Sequence, residues 1–498
     1  MSSFFELKSH PNKLLETHLI NVADFCKKTV LQKEINNKEL YSDFAFLIGL
    51  SHDFAKSTSY FQKYLVNHER TEKARHGLLS SIFSYYCIKN FIENKKIENF
   101  EQIAPIAWLI VLKHHGNIKN LRGIDGEVEK LKDLSIVKTQ LDDIKENSVN
   151  ELTDFYLKWE IDVFYFIKEF DNIVDAIKKD VRNLSRQKKI NNYFLILFFY
   201  SILLDADKMD ASETPEPTRV DISEDIIDEY KKIAFGTPKT GIDKIREKSY
   251  IEIVNSLNNL DIEKDKILSI TLPTGCGKTL SAISFSIKLR KKIKNQLGFL
   301  PRIIYSLPFL SIIDQNADVI SNILTQCHRS PELFSNIFLK HHHLSDVSYK
   351  THSENEMNTN QSKLLIEGWY SEIIITTFIQ FFYSIITNRN RAARKFHNIV
   401  NSIIILDEIQ SIPHHYWKLL NHFLKYLCKE FNCWIILMTA TQPLIFEENV
   451  EILPLVNKKK YYDKFNRLNY IFNLKTKDFD EFKELIWAKI VSEPEKDI

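Results

Sequence analysis

The spacing of apolar residues divides the chain into two parts with different predicted secondary structure. Across residues 12–205, apolar side chains recur every three or four positions, as at Leu15, Leu19 and Val22, which predicts amphipathic helices. Runs of β-branched residues are nearly absent from this part of the sequence. The segment Phe194–Leu204 is apolar throughout but shorter than the roughly 20 residues of a membrane span, so it predicts a buried helix.

A different pattern follows residue 241, where short apolar runs alternate with helical stretches. The predicted strands are Ile267–Leu272, Arg302–Leu307, Ile373–Thr376, Ile403–Leu406 and Trp434–Met438. Strands that alternate with helices form an open parallel sheet with helices on both faces. The predicted fold class is therefore multidomain, with an all-α domain followed by an α/β domain that contains a mostly parallel sheet.

Two proline-containing segments mark the boundary between these parts. Ser212–Thr218 combines prolines with glutamates and indicates the start of a linker, and Gly236–Gly241 gives a second break. We predict a helical domain over residues 1–235, an α/β domain over residues 236–450 and a short remainder over residues 451–498. A length of 498 residues agrees with two or three domains.

Composition and charge narrow the environment of the protein more than its function. The chain has 67 Lys and Arg against 65 Asp and Glu, so any nucleic-acid surface must be a local basic patch. The six cysteines form no CxxC pair, which argues against a zinc ribbon or a disulfide framework and favours the cytoplasm. The N-terminus lacks a basic stretch before an apolar core, so neither a signal peptide nor a membrane association is predicted.

The helical part contains an ordered set of histidines and aspartates that indicates a metal site. Imidazole and carboxylate together suit Mn, Fe, Co, Ni or Mg ions. One carboxylate that bridges two cations about 3.5–4 Å apart suits displacement at a phosphodiester. A single histidine is more often a hydrogen-bonded core residue, so the prediction depends on the whole set. Its members are His18, His52, Asp53, His76, the pair His114 and His115, and Asp207.

The segments around these residues resemble the HD phosphohydrolase superfamily. Within it, they resemble the nuclease domain of the CRISPR-associated helicase-nucleases of type I systems. The matching segments are Thr17-His18-Leu19, Gly49-Leu-Ser-His52-Asp53-Phe-Ala-Lys56, Arg75-His76-Gly77, Lys113-His114-His115-Gly116 and Leu204-Asp205-Ala206-Asp207. The family's glycine before the lysine is Ala55 here, which is a small change.

The resemblance implies specific roles for these residues. It implies one metal held by His18, His52, Asp53 and Asp207, and a second held by Asp53, His76, His114 and His115. Asp205 is the rival of Asp207 for the last position of the first metal, and we favour Asp207 because the Ala-Asp pair that closes an apolar helix matches the family better. Lys56 is expected to contact the scissile phosphate, and the alternative is a solvated lysine on a helix.

A phosphate-binding loop is indicated between a predicted strand and the predicted helix Leu280–Arg290. The strict loop pattern requires a glycine where Leu272 stands, and the remaining form resembles that of superfamily-two helicases. Glycines allow backbone N–H groups to approach phosphates at a helix N-terminus. Lys278 is expected to neutralise the β/γ-phosphates of ATP and Thr279 to bind Mg²⁺. The predicted ATP-binding residues in this loop are Thr274, Gly275, Cys276, Gly277, Lys278 and Thr279.

An acidic pair follows the predicted strand Ile403–Leu406. Carboxylates at a strand end are common, but downstream of a phosphate loop they predict the other half of an ATP site. Asp407 is expected to bind Mg²⁺, and Glu408 is expected to polarise the attacking water.

Three further segments are candidates for nucleic-acid contact. Thr439, Ala440 and Thr441 resemble the helicase motif that couples hydrolysis to strand movement. Thr376, Thr377 and Gln380 resemble a motif that holds the backbone of a single strand without reading bases, although ordinary strand–loop edges are the alternative. A basic stretch with Arg389, Arg391, Arg394 and Lys395 could line the track of the strand, but we favour a solvated helix face.

Taken together, the resemblance implies a metal-dependent endo- or exonuclease for single-stranded DNA, coupled to an ATP-dependent helicase or translocase in type I CRISPR interference. The expected cofactors are two divalent metal ions and ATP with Mg²⁺. The expected partners are single-stranded DNA and an RNA-guided multisubunit surveillance complex. The alternatives are a nucleotide phosphohydrolase with a regulatory ATP module and a non-catalytic nucleic-acid-binding scaffold.

The family's motor has two RecA-like lobes, and only a short stretch follows residue 443 here. We expect that stretch to be a linker and the start of a second lobe, with the rest in cis or in a separate subunit. Loss of an arginine finger can cost roughly 10³–10⁵ in rate. We therefore expect residues 1–498 alone to bind ATP but to hydrolyse little of it and to unwind nothing.

Overall fold

The structure, a computed structural model, describes residues 3–122, 126–327, 334–342, 359–441, 444–463 and 478–492. The chain divides into a large unit that ends at Val456 and a small unit that begins at Asn457. Part of the predicted remainder over residues 451–498 lies outside the described residues. The small unit contains two described helices, which are given below.

The first part of the large unit is helical, apart from a short hairpin at its start. The hairpin strands β1 (Lys8–His10) and β2 (Lys13–Leu14) pair antiparallel. The helices that follow are α1 (Leu15–Leu31), α2 (Lys38–Ser51), α3 (Ser59–Asn67), α4 (Gly77–Asn94), α5 (Ile103–Leu112), α6 (Ser135–Asn147), α7 (Val149–Leu157), α8 (Val163–Lys168), α9 (Phe170–Arg186) and α10 (Ile190–Ala211). Their apolar faces meet in a core that contains Leu19, Phe44 and Trp108.

The second part begins with two helices and continues as strands that alternate with helices. Its helices are α11 (Ile226–Phe235), α12 (Gly241–Ser256), α13 (Lys278–Leu297), α14 (Leu310–Cys327), α15 (Phe334–Ile337), α16 (Thr359–Gly368), α17 (Phe378–Ile385), α18 (Asn390–Ala393), α19 (Phe396–Ile399) and α20 (Trp417–Glu430). The helices of the small unit are α21 (Lys458–Tyr462) and α22 (Phe479–Ser492). The strands are β3 (Ile267–Thr271), β4 (Ile303–Leu307), β5 (Phe338–His341), β6 (Ile373–Thr377), β7 (Ile403–Asp407), β8 (Trp434–Thr439) and β9 (Leu453–Pro454).

These strands form one parallel sheet in the order β5-β6-β4-β7-β8-β3-β9. Every residue of β3, β4, β6, β7 and β8 is buried, as expected for a parallel sheet with both faces covered. In register, Thr271 of β3 faces Thr439 of β8, and Asp407 of β7 faces Met438 of β8. Because the carboxyl ends of parallel strands meet at one edge, the segments that follow these three strands lie together.

The predicted fold class is confirmed: a helical region precedes an α/β region with a parallel sheet. The five predicted strands match β3, β4, β6, β7 and β8. Strands β5 and β9 were not predicted, because each is short and neither lies in a long apolar run. Among the described residues, no helix combines the length and apolarity needed to cross a membrane.

The basic stretch of the second part packs against α10 of the first part. Arg394 is fully buried and donates from Nε to Oδ1 of Asp205 at 2.6 Å. Asp205 also accepts a hydrogen bond from the hydroxyl of Tyr370. Lys395 is buried as well. Our interpretation of this stretch as a solvated helix face is therefore wrong for Arg394 and Lys395, because burial against α10 decides their positions.

Candidate functional site

Five helices of the first part bring the predicted metal ligands together. His18 lies in the first turn of α1, and His52 follows the last residue of α2. His76 precedes α4, and the pair His114 and His115 lies two and three residues after the end of α5. Asp207 lies near the end of α10. We call these residues the histidine–aspartate centre: His18, His52, Asp53, His76, His114, His115 and Asp207.

Asp53 lies in the middle of this centre, and its two oxygens face different histidines. Oδ2 lies 3.2 Å from Nε2 of His18 and 3.3 Å from Nε2 of His52. Oδ1 lies 3.2 Å from Nε2 of His76 and 3.4 Å from Nε2 of His114. One carboxylate therefore belongs to two groups of ligand atoms, which is the arrangement of a bridging ligand.

The remaining two residues complete these groups. Asp207 Oδ1 lies 3.5 Å from Nε2 of His18, and Nε2 of His115 lies 2.9 Å from Nε2 of His76. Within each group, one ligand atom per residue lies within 4.8 Å of all the others. The groups are His18, His52, Asp53 and Asp207, and Asp53, His76, His114 and His115.

The hydrogen bonds of the imidazoles leave the inner ring nitrogens for a metal. Nδ1 of His52 lies 2.6 Å from the carbonyl of Gly49, and Nδ1 of His114 lies 2.6 Å from the carbonyl of Val111. A backbone carbonyl accepts a hydrogen bond from Nδ1–H. In this neutral tautomer, Nε2 of each ring carries the lone pair that can bind a metal.

The buried ligand atoms have no hydrogen-bond partner that would replace a metal. Nε2 of His18, His52 and His114 and Oδ1 of Asp53 are buried without one, and Oδ2 of Asp53 faces Lys56. Buried polar atoms are ordinarily satisfied, and leaving four of them together would be costly. The donor set therefore fits divalent cations.

The electrostatics of the centre favour positive charge. Burial alone would lower the pKa of His18, but the three carboxylates of Asp207, Asp210 and Asp53 beside its ring outweigh it and raise that pKa to about 10. At His52, burial is outweighed by Asp53 and Asp207, and the pKa rises to about 9. The carboxylates next to these imidazoles favour their protonated forms in the metal-free protein. Bound cations would neutralise the same negative charge.

Lys56 lies beside the bridging carboxylate. Its Nζ is 2.6 Å from Oδ2 of Asp53, and the side chain is 4% exposed. The alternative of a solvated lysine is therefore wrong. The ammonium neutralises part of the charge of Asp53, and a contact between Lys56 and a phosphate stays a prediction.

The rival aspartates of α10 have separate surroundings. Two residues apart on a helix, their side chains leave its axis about 200° apart, so both cannot face one site. Asp207 lies among the histidines, whereas Asp205 pairs with Arg394. The geometry therefore favours Asp207 over Asp205 as the ligand.

Asp210 is a residue of the centre that the sequence analysis missed. Its Oδ2 lies 2.6 Å from Nδ1 of His18, and its Oδ1 accepts from Asn21 at 2.8 Å and pairs with Lys13 at 2.7 Å. A carboxylate on Nδ1 fixes the tautomer and orientation of a ligand histidine. The available signal was its position three residues after Asp207, on the same face of α10.

The predicted phosphate loop lies at the carboxyl edge of the sheet, between β3 and α13. Gly275 and Gly277 have φ values of 83° and 77°, in the left-handed region that glycine adopts without strain. Lys278 and Thr279 are the first two residues of α13. Thr274 and Cys276 complete the loop, so all six predicted residues lie on one turn at a helix N-terminus.

The predicted acidic pair lies opposite this loop. Asp407 ends β7, and its Oδ2 accepts a hydrogen bond of 2.7 Å from the hydroxyl of Tyr305. Burial raises the pKa of Asp407 to about 6, although the Tyr305 hydrogen bond opposes the shift. Nζ of Lys278 lies 3.5 Å from Oε1 of Glu408, so the loop lysine and the acidic pair share one site.

The predicted coupling segment touches the acidic pair through one glutamine. The hydroxyl of Thr439 lies 2.6 Å from Oε1 of Gln410, whose amide nitrogen donates to the carboxylate of Glu408. The backbone N–H of Thr441 donates to Oγ1 of Thr439 at 3.0 Å, across Ala440. A change at Glu408 therefore reaches this segment through two hydrogen bonds.

The other predicted strand-holding residues lie at the end of β6. Thr377 caps α17, because its Oγ1 accepts from the N–H of Gln380 at 3.0 Å. Thr376 is fully buried and its hydroxyl donates to the carbonyl of His341 at 2.9 Å. Both hydroxyls thus have partners inside the protein, and a role in holding a strand stays a prediction.

Comparison with known proteins identifies relatives of both parts. Residues 251–449 match the DEAD/DEAH box helicase family. The CRISPR-associated nuclease/helicase Cas3 of Haloferax volcanii is 25% identical, over 83% of this chain and 47% of that protein. The chain spans about half the length of the curated relatives it matches.

Solved structures share the fold. The crystal structure of T. fusca Cas3 is similar with a TM-score of 0.52 at 13% identity, over 88% of this chain and 49% of that chain. The crystal structure of a CRISPR-associated protein is similar with a TM-score of 0.51 at 12% identity, over 96% of this chain and 55% of that chain. The resemblance to the CRISPR-associated helicase-nucleases is therefore confirmed.

Proposed function

We propose that this chain is a metal-dependent nuclease for single-stranded DNA, coupled to an ATP-driven DNA helicase or translocase in type I CRISPR interference. One observation carries the nuclease assignment: Asp53 belongs to both groups of side chains that could hold a metal ion. Similarity to a nuclease/helicase of Haloferax volcanii supports the same assignment.

The ligand groups assign a role to each side chain of the centre. His18, His52 and Asp207 would hold one cation. Asp53 would be a ligand of this cation and of a second one. His76, His114 and His115 would complete that second site. Two bound cations supply a hydroxide nucleophile and stabilise charge on the attacking and leaving oxygens of a phosphodiester. The donors suit Mn, Fe, Co, Ni or Mg.

The surrounding residues prepare this centre for an anionic substrate. Asp210 holds the imidazole of His18 by its Nδ1 atom. The ammonium of Lys56, close to Asp53, is the positive group available to a phosphate that approaches the bridging carboxylate. The helices hold the ligand atoms in place before substrate arrives.

The second site would use ATP with Mg²⁺ to move the DNA. The loop glycines and the start of α13 would surround the phosphates, with Lys278 on the β- and γ-phosphates. Asp407 would bind Mg²⁺ and Glu408 would polarise the attacking water. The hydrogen bonds from Glu408 through Gln410 to Thr439 would transmit hydrolysis to the strand-holding edge.

The partners proposed are single-stranded DNA, an RNA-guided multisubunit surveillance complex and a second helicase lobe. The relatives are about twice as long as the aligned chain, which supports a further lobe in the complete assembly. A surveillance complex would open the duplex and present the strand to the nuclease.

The test is digestion of circular single-stranded DNA by purified protein, first in EDTA and then with single divalent metals. We expect no cleavage in EDTA and cleavage with at least one of Mn, Co, Ni, Fe or Mg. Release of phosphate from free nucleotides, without cleavage of the circle, would instead support a nucleotide phosphohydrolase. Metal-independent cleavage would contradict the proposal.

A further inference from the structure

We propose that Asn390, a residue of the α/β part, is a positioning residue for both groups of metal ligands in the helical part. The inference rests on the proposed nuclease function of the histidine–aspartate centre. If Asn390 has this role, the metal affinity of the helical part depends on a residue of the α/β part.

The side chain of Asn390 joins the two ligand groups. Its Nδ2 donates to the carbonyl of His114 at 2.9 Å, and its Oδ1 accepts from Nζ of Lys208 at 3.0 Å. His114 belongs to the second group, and Lys208 directly follows Asp207 of the first. The amide of Asn390 therefore holds the backbone of His114 in the second group. It also holds the turn of α10 that carries Asp207 in the first group.

The segment around Asn390 is attached to the same ligand loop by further hydrogen bonds. The backbone N–H of Asn390 donates to Oδ1 of Asn117 at 3.0 Å. The N–H of Ile118 donates to the carbonyl of Asn388 at 2.9 Å, and the Asn388 side chain returns a 2.9 Å bond to the Ile118 carbonyl. The loop after His115 thus moves with residues 388–390.

This segment is also anchored to α10. Asp205 accepts a 2.6 Å hydrogen bond from Arg394, and both side chains are fully buried. The hydroxyl of Tyr193 donates to the carbonyl of Ile385 and accepts from the N–H of Thr387 at 3.0 Å. Residues 385–394 are therefore held to α10 at both ends, with Asn390 between the anchors.

The position of this segment in the chain gives the contact a functional meaning. It directly follows α17, which begins at the predicted strand-holding residues Thr377 and Gln380. A displacement of α17 by bound DNA would pass through residues 386–390 to the carbonyl of His114. The same hydrogen bonds that position the ligands would thus couple strand contact to the metal centre.

The test measures Mn²⁺ binding to the metal-free full chain by isothermal titration. The substitution Asn390→Ala removes the bridge between His114 and Lys208. We expect its Mn²⁺ affinity to fall about tenfold, the lower end of what loss of an outer hydrogen bond costs metal sites. Nuclease activity should return at excess Mn²⁺, because the ligands themselves remain.

Asn421→Ala is the matched control, since the Asn421 side chain makes the same kind of hydrogen bond, at 2.7 Å to the carbonyl of Ile445, which belongs neither to the histidine–aspartate centre nor to its loops. It should leave Mn²⁺ affinity unchanged. If Asn390→Ala does not fold, Lys208→Met removes the bridge from its other end and should also weaken Mn²⁺ binding. Wild-type affinity in a folded bridge variant, or an equal loss in Asn421→Ala, would overturn the inference. Absence of Mn²⁺ binding by the wild type would instead refute the proposed nuclease centre.

Discussion

Asp210 accepts a hydrogen bond from the imidazole of His18, with 2.6 Å between Oδ2 and Nδ1. This contact joins α10 to α1 next to the proposed first metal site. It leaves Nε2 of His18 facing Asp53 and Asp207. The histidine–aspartate centre is therefore flanked by a carboxylate that belongs to neither ligand group but orients one of the proposed ligands.

Replacement of Asp210 should weaken metal binding without removing a ligand. In Asp210→Asn, the negative carboxylate that faces Nδ1 of His18 becomes a neutral amide, and metal affinity should fall about 10–100-fold. Titration of Mn²⁺ into the metal-free variant measures the change. Asp24→Asn, an exposed carboxylate on the same α1, is the control and should bind Mn²⁺ like the wild type. Equal affinity of the Asp210 variant and the wild type would contradict this role.

Replacement of Lys278 should separate the two sites. Lys278→Ala would remove the proposed charge-assisted hydrogen bond to phosphate, worth about 1.5–3 kcal/mol, so ATP affinity should fall about 10–150-fold. Binding of a fluorescent ATP analogue measures this loss, while Mn²⁺ binding should not change. The exposed Lys264 offers a control, because Lys264→Ala should leave both affinities unchanged. Simultaneous loss of Mn²⁺ binding would refute the independence of the two sites.

The buried pair of Asp205 and Arg394 should hold the two parts of the large unit together. Arg394→Met leaves a buried carboxylate unpaired and should lower the free energy of unfolding by about 3–5 kcal/mol. Combined with Asp205→Asn, the same change should cost less, since no buried charge remains. Urea unfolding measures both. Arg391→Met, at an arginine with 72% side-chain exposure, should cost at most about 1 kcal/mol.

Stability in acid should depend on Glu372. Burial would raise its pKa, but Arg219 and Arg290, at 2.8 Å and 2.7 Å, hold it below the usual 4.5. Because the folded pKa is below the unfolded one, the ionised carboxylate stabilises the fold at neutral pH. That contribution is lost as the pH falls below about 4.5 toward the folded pKa.

Glu372→Gln should therefore lower the free energy of unfolding by about 1–3 kcal/mol at pH 7. The difference from the wild type should narrow below pH about 4.5, where the wild-type carboxylate takes up its proton. Urea unfolding at a series of pH values measures this difference. If the difference in the free energy of unfolding stays constant from pH 7 to below pH about 4.5, Glu372 does not have the stabilising role described here.

The sequence predicted the parts of both sites that depend on local chain geometry. Gly277 and Lys278 could be assigned because a strand, a loop and a helix follow one another directly. Only the family resemblance favoured Asp207 over Asp205, because helical periodicity places them on different faces without saying which face meets the histidines. Arg394 was misjudged because its partner, Asp205, lies 189 residues away in the sequence.

Asn390 and Asp210 were missed because their roles arise only from packing. Nothing near Asn390 in the sequence indicates a neighbour such as His114, which belongs to the other part of the large unit. Asp210 had a weak signal in its distance from Asp207 along α10. Residues that position ligands through tertiary contacts thus require the folded structure.

The nuclease proposal depends most directly on the bridging role of Asp53. The decisive measurement is the rate of Mn²⁺-dependent cleavage of circular single-stranded DNA by Asp53→Asn, with Asp24→Asn as the control. Loss of an outer partner already costs metal sites about 10–100-fold, so loss of the bridge should cost about 100-fold or more. Binding of the ATP analogue should stay at the wild-type level and so report an intact fold. Cleavage by Asp53→Asn at the wild-type rate would contradict the account.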